Sequence, residues 1–271
     1  MRTSPTSATF YGVFIASALV LAPGCDEPKK EAPKPTSSAT ATTLASTEPV
    51  PTVAPTASAT AKPKKAARVC PEGPNLKTDD AVMEAQLRIK LGKKPGEVIK
   101  LSELPNVKSL NLTEEKSIDE LDPCIFPKLI GLKFLYLGKG DYDDLTPIAG
   151  LTQLETLRAS ISKVSDLRPL EKMVKLDQLD LGRTQVRDLS VLANFKNLTE
   201  LQLDETPIAD LAPLAECKKL KKVSIKSTAV SDLSPLRGAT DLKFLYIGGS
   251  AVKDTSALGG LVSRGLKISS E

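Results

Sequence analysis

The sequence predicts an α/β solenoid in which short parallel strands line a concave face, 3₁₀ or turn segments line the convex face, and a helix caps the N-terminal end. Three observations lead to this prediction. A leucine pattern recurs at a constant period of about 22 residues, a second block follows it and carries proline in four of the units, and a segment with helix-boundary residues precedes the first unit. Self-similarity at a fixed period of this length is typical of stacked-repeat architectures.

The leucine pattern has the form L-x-x-L-x-L. Six copies begin at this constant spacing, at Leu132, Leu154, Leu176, Leu198, Leu220 and Leu242. A less regular unit begins at Val107, and residues 265–269 form the last predicted strand. Alternate residues of L-x-L point to one face of a strand, and one short strand cannot bury that face alone. Stacked copies are therefore expected to pair in parallel and to share one leucine core.

The second block of each unit is predicted to return the chain to the next strand. It reads V-S-D-L-R-P-L from Val164, and related blocks follow the other leucine segments. Its prolines are Pro147, Pro169, Pro213 and Pro235. Because proline cannot donate a hydrogen bond within a central strand, these blocks are expected to be turns or short 3₁₀ segments.

The units resemble the 22-residue leucine-rich repeats of bacterial internalins, over about 190 residues. The resemblance implies a leucine-rich-repeat domain over 107–271 and an N-terminal cap over 70–106. The residues of the cap predict a helix independently. Thr78 can serve as its N-cap, two aspartates suit its first turn, and Gly92 can end it. Its apolar side is predicted to consist of Val82, Leu87, Ile89 and Leu91.

One column departs from the internalin pattern, which usually has asparagine after the strand to link successive turns. In this chain the column contains hydroxyl side chains, at Ser162, Thr184, Thr206, Thr228 and Ser250. A hydroxyl has one donor where an amide has two. We therefore expect a thinner ladder, or one assisted by water.

Residues 1–24 have the layout of a secretory signal peptide. Arg2 precedes an apolar run from Phe10 to Leu21. The run is about 12 residues long, which is shorter than the roughly 20 residues of a spanning helix. It ends in L-A-P-G-C, which resembles the bacterial lipobox and predicts lipid attachment at Cys25. The chain is then exported and anchored to a bacterial membrane, at the outer membrane or cell surface or on the periplasmic face. The alternative is an ordinary cleaved signal peptide with an incidental Cys25.

Residues 25–69 are predicted to be a lipid-anchored disordered linker. After the cysteine, Pro, Ala, Thr and Ser make up most of this segment, and no aromatic side chain occurs in it. Such a segment cannot bury enough surface to offset its ordering entropy. Its predicted role is to hold the folded domain away from the membrane.

Three cysteines remain. Cys217 lies in an apolar column with Leu151, Met173 and Phe195, so a buried core thiol is expected. It lies about four repeats beyond Cys124, roughly 19 Å along the stack, which exceeds the Cα separation that a disulfide tolerates. A disulfide is therefore expected between Cys70 and Cys124 of the exported protein.

Charge and composition exclude several functions. The net charge of +4 belongs to residues 1–69, and residues 70–271 hold 29 charges of each sign. A neutral domain lacks the basic surface that nucleic acid requires. The chain has no histidine, the commonest general base and metal ligand. No cofactor, metal site or catalytic residue is predicted, and we expect a monomer that is not an enzyme.

The concave face is the predicted binding surface, because the strand positions between the leucines point toward it. The candidate ligand-binding residues are Phe134, Tyr136, Arg158, Asp180, Arg183, Glu200, Asp204, Lys222, Lys226, Phe244 and Tyr246. The two Phe-x-Tyr pairs lie five repeats apart and bracket a charged middle. Exposed aromatic residues are enriched at binding hot spots, although duplication of the L-K-F-L-Y sequence without selection for binding is an equal alternative. The acidic residues of the middle are expected to be a solvated face balanced by Arg183, Lys222 and Lys226, rather than a cation or basic-peptide site.

The favoured hypothesis is a membrane-anchored module that binds a protein or peptide through this face. The alternative is a structural envelope protein that associates with cell-wall polymer without a specific ligand. A remote third hypothesis is an enzyme acting on wall glycan, since paired carboxylates also serve glycosidases. A flat strand surface offers no evident pocket to raise one carboxyl pKa, which argues against the third hypothesis.

Overall fold

The computed structural model describes residues 68–114 and 117–271, in which eight strands form one parallel sheet in chain order. The strands are β1 Ser109–Asn111, β2 Phe134–Tyr136, β3 Thr156–Arg158, β4 Gln178–Asp180, β5 Glu200–Gln202, β6 Lys222–Ser224, β7 Phe244–Tyr246 and β8 Lys267–Ser269. The predicted solenoid is confirmed. The predicted signal peptide, Cys25 and the predicted linker up to residue 67 lie outside the described residues.

The strand register aligns the central residues of the strands in one column of the core. The central residue of each strand pairs with the central residue of the next, from Leu110 in β1 through Leu157 in β3 to Leu245 in β7. These three side chains are 0% exposed. Burying one leucine contributes roughly 1.5–3 kcal/mol, so the regular column stabilises the whole array.

Short 3₁₀ segments return the chain along the opposite side. They are Leu101–Asn106, Phe126–Lys128, Thr146–Ile148, Arg168–Leu170, Ser190–Asn194, Ala212–Glu216, Ser234–Gly238 and Ser256–Leu258. The repeat prolines occupy the first turns of four segments, where a missing N–H costs little. An aspartate accepts the N–H two residues later at the entry of each repeat turn. These aspartates are Asp144, Asp166, Asp188, Asp210, Asp232 and Asp254.

The turns after the strands are linked by backbone hydrogen bonds and not by the hydroxyl column. Ile161, Arg183, Glu205 and Ser227 have φ of 54–57°, and their N–H groups donate to the neighbouring repeat at 2.7–2.8 Å. The hydroxyl column bonds within its own turn instead: Thr184, for example, donates to the Leu181 carbonyl at 2.7 Å. The described hydroxyls therefore form a thinner cross-turn ladder than asparagine would, as expected, and backbone at the left-handed positions supplies the link.

The cap helix α1 spans Ala81–Lys90. Its N-cap is Asp80, which accepts the Met83 N–H at 2.7 Å, so the assignment of Thr78 is wrong. Thr78 supports that cap by accepting the Asp80 N–H. Ile89 is 68% exposed, contrary to expectation, and Met83 is buried in its place. The second helix, α2, has four residues, Gly259–Val262. Within the described ranges, no helix is long and apolar enough to cross a membrane.

The cysteines divide into one pair and one buried thiol. Cys70 and Cys124 form a disulfide with their Cα atoms 5.4 Å apart. Cys217 is free and 0% exposed. Burial raises the pKa of the Cys217 thiol to about 11, so the thiol stays protonated and unreactive at neutral pH.

Candidate functional site on the concave sheet

Two rows of side chains cross the concave surface because every strand is in register with its neighbours. The first row contains Ser109, Phe134, Thr156, Gln178, Glu200, Lys222, Phe244 and Lys267. The second row contains Asn111, Tyr136, Arg158, Asp180, Gln202, Ser224, Tyr246 and Ser269. Neighbouring positions in a row are separated by one strand step, about 4.8 Å. Eight of the eleven predicted site residues lie in these two rows.

The other three predicted site residues lie past the strand ends. Arg183 occupies a left-handed turn position with φ 57° and is exposed. Asp204 and Lys226 stand one residue before the corresponding turn positions in the next two repeats and are half-buried. They form a third row along the carboxyl edge of the sheet, so the site is wider than the strands themselves.

The N-terminal aromatic pair, Phe134 and Tyr136, is half-buried and lies among paired charges. Lys133 donates to Glu155 at 2.6 Å, and Arg158 lies 3.1 Å from the Asp180 carboxylate. A shallow depression of about 210 Å³ opens beside Tyr136; Arg158, Asp180 and Glu200 are among its lining residues. This end of the surface therefore combines aromatic area with internally neutralised charge.

The charged middle is also largely neutralised. Arg183 donates to Glu205 at 2.8 Å, and that hydrogen bond raises the pKa of Arg183. Glu200 lies 4.0 Å from the Lys222 ammonium. Asp204 accepts the Lys226 N–H at 2.8 Å and the Ser224 hydroxyl. These contacts support a balanced, solvated face over an open carboxylate cluster.

The contacts in the charged middle also bear on two other hypotheses for it, a cation site and a pair of catalytic carboxylates. No group of three or more His, Cys, Asp or Glu in the described part of the chain is placed to hold a metal ion. Asp180 and Glu200, on neighbouring strands, each face a cationic side chain.

The C-terminal aromatic pair, Phe244 and Tyr246, is more open. Phe244 is 41% exposed, and register places Lys222 and Lys267 on its two sides. The Lys226 ammonium lies 5.4 Å from the Tyr246 ring centroid, which is cation–π distance. Aromatic surface and lysines therefore alternate at this end of the sheet.

One cleft lies away from the residues singled out in the sequence. It has a volume of about 460 Å³ and opens between the start of α1 and the irregular first repeat. Asp79, Asp80, Asp119 and Asp122 are among its lining residues. The consecutive aspartates before α1 and the acidic run after Ile118 are the sequence signal for it, but the first unit has no regular period that brings them together.

Comparisons with known proteins agree with the fold. No protein-family model and no curated protein matches the sequence. Internalin C2 of Listeria monocytogenes is 23% identical with a TM-score of 0.59, over 70% of this chain and 92% of that structure. An internalin, InlF, of the same species is 24% identical with a TM-score of 0.61, over 70% and 56%. A leucine-rich-repeat protein of Leptospira interrogans is 18% identical with a TM-score of 0.50, over 63% and 51%.

The chain thus spans about half the length of the second and third of these structures. At these identities the likeness concerns the fold. The parallel sheet, the constant repeat period and the structural neighbours agree on one architecture: the chain has the leucine-rich-repeat fold of the internalins.

Proposed function

We propose that the protein is an exported, lipid-anchored leucine-rich-repeat module that binds a protein or peptide through its concave face. The observation that carries the proposal is the pair of Phe-x-Tyr strands, β2 and β7, which present aromatic side chains on the same two rows. Five strand steps separate them, about 24 Å. An extended peptide of about seven residues spans that distance.

The aromatic side chains have no evident role in the core. Phe134 and Phe244 alternate with the buried Leu135 and Leu245, and they point away from the core. Leaving 41% of Phe244 exposed to water is unfavourable for the free protein. Burial of such rings against a partner recovers that free energy, which is why aromatic residues dominate binding hot spots.

The proposed anchor rests on the sequence of the N-terminal segment. The apolar run from Phe10 to Leu21, the lipobox-like ending and the Pro/Ala/Thr/Ser-rich segment 25–69 fit a lipid on Cys25 followed by a tether. Acyl chains on one cysteine hold a protein stably at a membrane when more than one is present. A tether then leaves the concave face free to meet a partner. Labelling with a radioactive or alkyne-tagged fatty acid tests this anchor, and labelling that persists in Cys25→Ala would reject it.

The binding site is tested by crosslinking and affinity capture from envelope extracts. The test variant is Phe134→Ala/Tyr136→Ala/Phe244→Ala/Tyr246→Ala in the full chain. The matched control is Ile130→Ala/Val174→Ala, since these apolar side chains are 53% and 50% exposed outside the concave rows. Capture should disappear in the test variant and persist in the control. Unchanged capture by the test variant would reject the site, and wall association surviving all changes would favour a structural envelope role.

A further inference from the structure

Formal charge is distributed unevenly along the solenoid. Residues 217–271 contain ten Lys or Arg and four Asp or Glu, a net charge of +6. Residues 70–216 contain nineteen Lys or Arg and twenty-five Asp or Glu, a net charge of −6. The neutral domain is therefore the sum of an acidic body and a basic C-terminal quarter, and β7 lies in the basic quarter.

The lysines of this quarter gather around Phe244. Lys222 and Lys267 flank it in the first row, and Lys243 precedes it in the chain. Within the described residues, Lys243 and Lys267 have no carboxylate within 4.0 Å, and Lys222 has only Glu200 at that limit. The basic aromatic patch is defined as Lys222, Lys243, Phe244, Tyr246 and Lys267.

Besides Glu200, three carboxylates belong to the repeats around the patch, and none of them forms an ion pair with its lysines among the described residues. Asp204 is engaged by the Ser224 hydroxyl and the Lys226 N–H. Asp241 directly precedes the L-K-F-L-Y segment, and Glu271 follows β8; both are exposed. Lys243 and Lys267, which have no carboxylate within 4.0 Å among the described residues, together with the exposed ring favour a ligand that supplies both carboxylates and an apolar group.

We propose that the basic aromatic patch binds an acidic segment of the protein partner, with an apolar side chain of that segment covering Phe244. This inference rests on the proposed function and adds the chemistry of the ligand and its orientation. The acidic part of the ligand lies over β6–β8, at the C-terminal end of the groove. The remainder of the ligand runs toward β2, where the charges are already paired.

The rest of the groove argues against a uniformly anionic polymer as the ligand. A polyanion lying along the strands would leave the patch and meet Glu200 and Asp180 on β5 and β4. Like charges facing one another across an interface are unfavourable. A polyanion without apolar or aromatic groups also has nothing to cover the Phe244 ring. A peptide that is acidic at one end and apolar within satisfies both conditions.

The test uses the full chain in detergent with defined probes. Three short fluorescent peptides of equal length are compared: an acidic one containing Phe, the same peptide with Lys at every acidic position, and the acidic one with Ser for Phe. Phosphatidylglycerol vesicles form a fourth probe. The acidic Phe peptide should bind with the highest affinity, and its binding should weaken with added salt. Equal binding of the basic peptide, or preferential binding of the vesicles, would overturn the proposal.

Charge reversal locates the binding. Lys222→Glu/Lys243→Glu/Lys267→Glu should weaken binding of the acidic Phe peptide by about tenfold or more. Lys133→Glu is the matched control, because Lys133 holds the same place in the other L-K-F-L-Y segment. This variant should bind the acidic Phe peptide as the unmodified protein does. Lys243→Gln provides a milder variant whose loss should be smaller but measurable. Equal losses in the Lys133 and Lys243 variants would contradict the assignment.

The two proposals fail differently. If peptides of any charge bind equally and the four-alanine variant abolishes their binding, the groove binds peptides but the charge preference is wrong. If the four-alanine variant binds every probe as the unmodified protein does, the concave site itself is rejected.

Discussion

The segments that end in strands β2 and β7 have the same five residues, Leu-Lys-Phe-Leu-Tyr, yet they present different surfaces. In the first copy Lys133 pairs with Glu155 of the next repeat. In the second copy the corresponding Lys243 is followed in the stack by Leu266, which offers no charge. The identity of the neighbouring repeat, and not the local sequence, therefore decides whether this lysine is part of the scaffold or available to a ligand.

The same offset of five repeats relates two pairs of residues that follow β2 and β7 in the chain. Gly140 in the first copy corresponds to Ser250 in the second, and Tyr142 corresponds to Val252. A Cβ on Gly140 would lie 1.9 Å from the Ile118 carbonyl oxygen, and Tyr142 is 1% exposed. Val252 is half-buried. The first copy is thus packed tightly under the irregular first repeat, whereas the second is more open.

The largest expected effect comes from removing the disulfide, which should affect the N-terminal end of the solenoid more than the C-terminal end. Cys70→Ser/Cys124→Ser releases a cross-link of 54 residues, which corresponds to about 4 kcal/mol in the chain-entropy model. Amide exchange should accelerate in α1 and β1 and stay slow in β6 and β7. Chemically reduced protein should match the double variant. Equal acceleration at both ends would contradict the view that the disulfide protects the N-terminal end locally.

The second-largest effect is expected when the glycine of the first copy is replaced by serine, the residue at the same position of the second copy. Gly140→Ser forces a side chain against the Ile118 carbonyl and should destabilise the fold by about 1–3 kcal/mol. The reciprocal control, Ser250→Gly, removes a half-buried hydroxyl and should cost less than about 1 kcal/mol. Urea unfolding of the two variants measures both. Similar costs would show that the two copies are equally tight.

The buried tyrosine predicts a difference at alkaline pH. Burial raises the pKa of Tyr142 from 10.0 to about 12, so the folded state keeps its proton to higher pH than the unfolded state does. The resulting stability is fully present below pH 10 and is lost as pH rises toward 12. At pH 11 the loss is about 1.4 kcal/mol, and Tyr142→Phe should not show it.

Cys217, with its pKa raised to about 11, contributes a similar decline to every variant, so differences isolate the tyrosine. Near neutral pH the Tyr142→Phe change should be close to neutral or stabilising. Among the described residues its hydroxyl has no hydrogen bond of regular geometry. An unaltered decline in Tyr142→Phe would contradict the assignment.

The constant repeat period of the sequence made much of the fold and part of the site predictable. Leucines at a constant spacing require stacked strands, and ion pairs such as Lys133–Glu155 and Arg183–Glu205 join side chains one period apart. The pairing of Cys70 with Cys124 also follows from distances along the stack. Position within the repeat therefore carries most of the three-dimensional information in this chain.

Features without a period were harder to predict. The segment at 78–80 offers three possible N-cap residues, and the hydrogen bond to Met83 selects Asp80. Ile89 is exposed because one face of α1 contacts the array and Ile89 lies off that face. The aspartates before the 3₁₀ segments were visible in the V-x-D-L blocks, but their role as acceptors depends on turn geometry. The acidic cleft beside α1 depends on the irregular segment after Leu112.

The smallest expected effect returns to the twin lysines. Lys133→Gln breaks an ion pair whose side chains are 47% and 37% exposed, so its cost should be below about 1 kcal/mol and should shrink in about 0.5 M salt. Lys243→Gln removes a lysine without a carboxylate partner in the described part of the chain and should leave stability unchanged at any salt concentration. Urea midpoints at low and high salt measure both. A salt-sensitive loss in Lys243→Gln would mean that this lysine already has a structural partner, and the contrast between scaffold lysine and ligand lysine would fail.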